Sequence, residues 1–430
     1  MYSARCTLPG AAGETGDGHA AGALLRGWRK RALLTQEQLA EKAGLNVRTV
    51  RRLESGGLQP RSRSVLLIAQ ALGLCGEERE QLAAAARGAP AAPADEPAVS
   101  PIVPRQLPAG LAALAGREHE LTIVENAHRA EPAPVVAIDG MAGTGKTALA
   151  VHVAHRLAPG FPDGQLYVDL RGHTPGTAPV EPAEALARMA RALGVPRADV
   201  PDQLDDRAAL YRSVLARRRV LVVLDDAADE DQIQPLLPAG PGCRVIVTSR
   251  RRLGGLGDVR ALSLDVLPPA AAVALFAEVA GRERVAGAPR GELHEVVARC
   301  GALPLAVRIA AERLRARPTW RVRDLLDRLA GDRLAALKAG RHDVAAALDR
   351  SYDRLPADLR RAYRLLGART GAGANVDPRT AATLLGTSAP HAERLLERLL
   401  DAHLLREAAP GRYLFHDLVR DHACRASRVA

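Results

Sequence analysis

Residues 135–157 read VVAIDGMAGTGKTALAVHVAHRL, and this stretch decides the fold. Four apolar residues and Asp139 predict a buried strand. Gly140 to Thr147 then satisfies the GxxxxGK[ST] spacing, and ALAVHVAHRL continues as an apolar helix. In that strand–loop–helix context the spacing has a mechanism. Gly140, Gly143 and Gly145 free the backbone to turn, so that N–H groups around Thr144, Gly145 and Ala148 cradle phosphate at a helix N-terminus. Lys146 can reach the terminal phosphates, and Thr147 can ligate Mg2+.

Downstream, VLVVLDD ends a second apolar run in Asp225 and Asp226, which puts carboxylates at the carboxyl edge of a sheet. Asp225 is there the expected second Mg2+ contact, and Asp225 and Asp226 are both catalytic candidates. QLYVDL, a helix across 182–194 and RVIVTS complete an alternation that predicts a parallel sheet covered by helices. From about residue 268 the pattern is almost wholly helical. It closes on a candidate hairpin, LLREAAPGRYLF, with Pro410 and Gly411 at its turn, and no internal repeat is visible.

Upstream, Thr35 and Gln38 form a capping box for a helix through Ala43, and Gly44 ends it. Asn46 caps a helix over 47–54, so the two make a helix-turn-helix with Leu39, Ala40, Val50 and Leu53 inward. Val47, Arg48, Thr49, Arg51 and Arg52 are left to face a major groove, and Gln36 is a candidate phosphate contact. Between Gly22 and Val65 ten basic residues stand against three acidic ones, which suits double-stranded DNA. With Pro60 and the SVLLIAQALGL helix, residues 22–86 resemble the Cro/XRE-like repressor family.

The remaining landmarks, from about Leu114 onward, resemble the NB-ARC type of STAND signalling NTPase, similar to antibiotic regulatory protein (SARP-like) transcription regulators. The resemblance implies ADP and ATP as ligands. It also implies that Gly116-Arg117-Glu118 lies near adenine, and Leu170-Arg171-Gly172, after a strand, is similar to the run found in antibiotic regulatory protein relatives. Arg250, in Thr248-Ser249-Arg250, would detect the γ-phosphate as a sensor. Pro304, in Gly301-Ala302-Leu303-Pro304-Leu305, would pack on adenine; Ala302 stands where Leu is usual. His416, in Phe415-His416-Asp417, would reach the β-phosphate of ADP, and residues 345–425 would form a winged helix whose Leu395, Leu396, Leu399 and Leu400 are core.

The expected organisation is a multidomain chain: a disordered 1–19, an all-α helix-turn-helix domain over 20–87, and a Pro/Ala-rich linker over 88–112. An α/β P-loop domain (113–267), a helical domain (268–344) and a winged helix (345–430) follow. Five scattered cysteines give neither a zinc ribbon nor a disulfide framework, and no apolar run is long enough for a membrane span, so a cytoplasmic location is expected. Three readings stay open: a nucleotide-gated transcription regulator, at most a slow regulatory ATPase; a defence-type signalling protein with a protein-binding N-terminal domain; and a turnover ATPase or kinase. The family implies self-association in the ATP state. The sequence stops 13 residues after Asp417 without the usual repeat sensor, so the sensor is a separate protein, or the chain is a short form or a fragment.

Overall fold

The computed structural model describes residues 17–32, 34–55, 62–74, 76, 78, 81, 82, 103–110, 114–129, 135–257 and 259–429. The chain divides into two compact units, Met1–Ser100 and Pro101–Ala430. Residues 1–16 of the expected disordered start, and most of the expected linker, lie outside the described residues. Residues 103–110 depart from the linker reading. Arg105 bridges in parallel to Gln165, and the Gln165 N–H donates to the Pro104 carbonyl at 2.7 Å. The strand containing Gln165 lies at the sheet edge, and this segment satisfies its unpaired backbone groups.

In the first unit, helices α1 (Asp17–Arg31), α2 (Gln36–Ala43), α3 (Val47–Glu54) and α4 (Ser62–Ala71) enclose Leu25, Trp28, Leu39, Ala40, Val50, Leu53 and Ile68. Thr35 and Gln38 exchange both capping-box hydrogen bonds, Gly44 ends α2 in the left-handed region at φ 61°, and Asn46 caps α3. Each cap stabilises its helix by about 1 kcal/mol, and together they fix the angle between α2 and α3.

The second unit opens on α5 (Glu118–Arg129) and a five-stranded parallel sheet. Its strands are β1 (Val135–Asp139), β2 (Gln165–Asp169), β3 (Leu221–Ala227), β4 (Arg244–Ser249) and β5 (Val259–Ser263), ordered β2-β3-β4-β1-β5. Every residue of β1 is buried, because helices cover both faces of the sheet. α6 (Lys146–Leu157) packs on one face, and α7 (Pro182–Ala192) and α8 (Leu204–Leu215) on the other. Neither β5 nor α8 was expected from the sequence; β5 is an edge strand with mostly exposed side chains and so carries no apolar signal.

Beyond the sheet, helices α9 (Pro269–Ala280), α10 (Arg290–Arg299), α11 (Pro304–Arg315) and α12 (Val322–Ala330) lead into α13 (Val344–Asp353) and α14 (Ala357–Arg369). Then come α15 (Pro378–Leu385), α16 (Ala389–Asp401), the hairpin β6 (Arg406–Ala409) and β7 (Arg412–Leu414), and α17 (Asp417–Val429). One apolar core runs from Leu267 to Ala423 across this whole region and includes Leu395, Leu396, Leu399 and Leu400.

Candidate nucleotide site and DNA-facing helix

β1 delivers the loop between Asp139 and Lys146, in which Gly140, Gly143 and Gly145 all have positive φ. A Cβ on Gly140 would meet the Leu264 carbonyl at 2.5 Å, so no larger residue fits that turn. α6 has no side-chain cap, which leaves the N–H groups of its first turn for an anion. Lys146 is buried, and its Nζ donates to the carbonyls of Gly140 and Met141 at 2.8 Å each. Burial, and then the nearby Arg250 charge, lower its pKa to about 7. A buried ammonium hydrogen-bonded to carbonyls, with no carboxylate at ion-pair distance among the described residues, gains a direct counter-charge when phosphate enters, so this donor set fits a phosphate ligand.

β3 ends with a register shift between Leu224 and Ala227. Asp225 stays on the P-loop side, where its carboxylate accepts from Thr147 Oγ1 at 2.8 Å, Thr248 Oγ1 at 2.6 Å and the Tyr167 hydroxyl at 2.8 Å. Burial pushes its pKa up in spite of these donors. Thr147 and Asp225 thus form a paired set of hard oxygens suited to Mg2+. Asp226 moves the other way. Burial would raise its pKa, but His173, and then Arg250, hold it below the ordinary carboxylate range.

Arg250 follows β4, and its guanidinium turns to α13, donating to the Ala347 carbonyl at 2.7 Å and to Ser351 Oγ at 3.2 Å. Arg117 is buried and braces the backbone, donating to the carbonyls of Thr144 at 3.2 Å and Asp265 at 2.6 Å. Pro304 opens α11, and the next residue, Leu305, donates its N–H to the Gly143 carbonyl at 3.1 Å, so this motif touches the P-loop directly. Ala148 contributes a residue of the first turn of α6.

His416 is buried. Nδ1 accepts from the Leu418 N–H at 3.2 Å, so Nε2 carries the proton and donates to the Gly301 carbonyl at 2.9 Å. Burial lowers its pKa, which keeps the ring neutral at pH 7. Gly301 is required by this contact, since a Cβ there would lie 2.4 Å from the imidazole Cε1. The donor expected to meet a phosphate is therefore committed to the GALPL segment.

A second histidine, not singled out in the sequence, crosses nearby. His403 has φ 53°, and its Nε2 lies 2.8 Å from Asp139 Oδ1, an ion-pair distance without hydrogen-bond alignment. Burial would raise the pKa of Asp139, but His403 and a hydrogen bond from Ser263 hold it low. A cleft of about 580 Å³ lies beside this pair and reaches Met141 and His416.

In the first unit, α3 presents Arg48, Arg51 and Arg52 outward, with Thr49 half-buried. Two expectations change. Val47 packs half-buried against the core, and Gln36 Nε2 donates to Glu54 Oε2 at 2.7 Å, because the buried Glu54 carboxylate needs donors. Arg29 supplies two more, at 2.5 and 2.9 Å. Arg51 pairs with Glu37 at 2.7 Å on the surface.

With this geometry in place, the family model for the NB-ARC domain matches residues 120–285, and a helix-turn-helix model matches residues 25–78. Regulatory protein AfsR of Streptomyces coelicolor is 47% identical over 338 residues, covering 76% of this chain and 34% of that protein. AfsR of Streptomyces griseus is 46% identical over 340 residues, 77% of this chain and 34% of its own length. The chain thus spans about a third of the length of these relatives. Among solved structures, a signal transduction ATPase with numerous domains and a tetratricopeptide repeat sensor, from Pyrococcus horikoshii, is a distant likeness: 18% identity, TM-score 0.34, 75% of this chain and 44% of that one. The chain therefore carries an NB-ARC-type P-loop domain behind an N-terminal helix-turn-helix domain.

Proposed function

We propose that the chain is a DNA-binding transcription regulator whose P-loop unit binds ADP or ATP with Mg2+ and uses their exchange as a switch. The observation that carries the gating is that residues beside the P-loop also fasten the C-terminal helices: Arg250 holds α13, and His416 holds Gly301. A nucleotide that competes for Arg250 or His416 alters that fastening, and a ligand shifts an equilibrium only through such differential contacts.

In this reading Lys146 and the N–H groups of residues 143–148 bind phosphate, Thr147 and Asp225 hold Mg2+, and Arg117 and Pro304 border the base. Arg250 senses the γ-phosphate, and His416 exchanges Gly301 for the β-phosphate of ADP. Arg48, Thr49, Arg51 and Arg52 read or grip DNA, and Gln36 contributes as a brace of Glu54. The P-loop, helical and winged-helix divisions at 113–267, 268–344 and 345–430, self-association in the ATP state and a separate sensor partner belong to the same proposal. So does a cytoplasmic location; among the described residues no helix is long and apolar enough to cross a membrane. The similarity to AfsR regulatory proteins supports the regulatory part.

The test is titration calorimetry of ADP and ATP, with Mg2+, into the folded full chain and its Lys146→Ala variant. Loss of binding in the variant is expected, and equal affinity overturns the site.

A further inference from the structure

β3 ends in two adjacent carboxylates that do different things. Asp225 stays with Thr147 and Thr248, whereas Asp226 adopts φ 52°, a left-handed conformation costly for a residue with a Cβ. The loop after β2 holds it there. The His173 N–H donates to Asp226 Oδ2 at 2.8 Å, and its Nδ1 lies 3.1 Å from Oδ1, so the ring proton points at the carboxylate. The loop is shaped for this contact. Arg171 has φ 53°, and the Gly172 N–H donates to the Asp226 carbonyl at 2.6 Å. A Cβ at 172 would lie 2.5 Å from both the Asp226 carbonyl oxygen and the Ala228 nitrogen. The His173 side chain is only 3% exposed.

The same oxygen that faces the His173 ring is also near Arg250, whose Nε lies 3.7 Å from Oδ1. Asp226 is the one carboxylate at ion-pair distance from Arg250 among the described residues, and the same guanidinium donates to Ala347 and Ser351 of α13. A continuous chain of polar contacts therefore runs from the loop after β2 through β3 and β4 to the C-terminal helices.

We propose that His173 is a positioning residue that commits Asp226 to Arg250, making Asp226 the counter-ion that docks α13 on the sheet and withdrawing it from the role of base for an attacking water. This deepens the nucleotide-switch reading by naming the residue that sets the sensor arginine. The coupling itself needs no nucleotide to be seen.

The experiment is hydrogen exchange with peptide-level mass spectrometry on the full chain, for wild type, His173→Ala, His173→Asn, Asp226→Asn and the double variant His173→Ala/Asp226→Asn. His173→Ala and Asp226→Asn each raise exchange across 344–353 by roughly tenfold or more, the scale of one hydrogen bond to a charged group. The double variant adds nothing further, because both changes break one linkage. His173→Asn, which keeps a side-chain N–H donor, restores most of the protection. If His173→Ala does not fold, His173→Phe fills the same space without the donor and takes its place. Wild-type exchange at 344–353 in the Ala or Phe variant, additive effects in the double variant, or no rescue by Asn overturns the proposal. Calorimetry of wild type with ADP and ATP runs alongside: no binding there defeats the nucleotide reading and leaves the exchange result to decide this one.

Discussion

Lys146 and Glu54 are both buried charges, and they answer the cost of desolvation differently. Glu54 is compensated within the protein, by Arg29 and Gln36. Replacing it with Ala strands Arg29 and should destabilise the N-terminal unit by about 3–5 kcal/mol. That is a large share of a small domain's stability, and the midpoint of a urea melt of the helical signal reads it. Burial alone would raise the pKa of Glu54, but Arg29 and Gln36 hold it below its ordinary value. Its contribution is therefore present above the unfolded value of about 4.3 and lost as pH falls through the depressed one. Wild type should lose stability in acid over that window, and Glu54→Gln should show a flatter profile there. Lys146 is hydrogen-bonded to carbonyls, and burial takes its pKa to about 7 although the charges of Asp226, Asp225 and Asp139 oppose it. Phosphate restores its charge, so nucleotide binding at pH 8 should take up close to one proton, and at pH 6 almost none. Calorimetry in two buffers of different ionisation enthalpy measures this; identical heats at pH 8 contradict it.

At the scale of elements, α3 and α16 carry the predictions. α3 stands on a core and caps read correctly from sequence, and its outward arginines include Arg48. Arg48→Ala should lower the salt slope of DNA binding by about one unit while leaving the fold intact. An unchanged slope removes Arg48 from the phosphate contacts. Arg51 meets Glu37 in an exposed, solvent-screened pair that competes with phosphate for the guanidinium, so Glu37→Gln should tighten DNA binding modestly. Two residues beyond the end of α16 stands His403, whose ring meets the buried carboxylate of Asp139. His403→Ala leaves that carboxylate with only its Ser263 hydrogen bond and should loosen the end of α16 and the β6–β7 hairpin, visible as faster exchange across 389–414. Wild-type exchange there would reject the tie. The sequence made local features legible: the Thr35–Gln38 box, the glycines of the P-loop, and the Asp225 position at a strand end. His173 and His403 were not, because each finds its carboxylate on an element distant in sequence, and no spacing rule connects them. Even the LRG run just before His173 pointed to the loop without pointing to the ring.

In the proposed switch, Arg250 and His416, the residues assigned as nucleotide sensors, are also part of the fastening of the second unit's own C-terminal helices. Arg250, His416 and His403 each cross from one region of the second unit to another, so the P-loop and the last helices share a mechanical state. The most direct measurement is capture of fragmented genomic DNA by the purified full chain, sequenced after incubation with Mg2+ and either ADP or a non-hydrolysable ATP analogue. Lys146→Ala and a triple Arg48→Ala, Arg51→Ala, Arg52→Ala variant run in parallel. A defined set of enriched sequences is expected with wild type and is lost in the triple variant. In wild type its yield should change by about tenfold between the two nucleotides, the shift given by about 1.4 kcal/mol of differential binding, and in Lys146→Ala it should no longer respond. Equal capture in both nucleotides, or enrichment that survives the triple substitution, would contradict the proposed function.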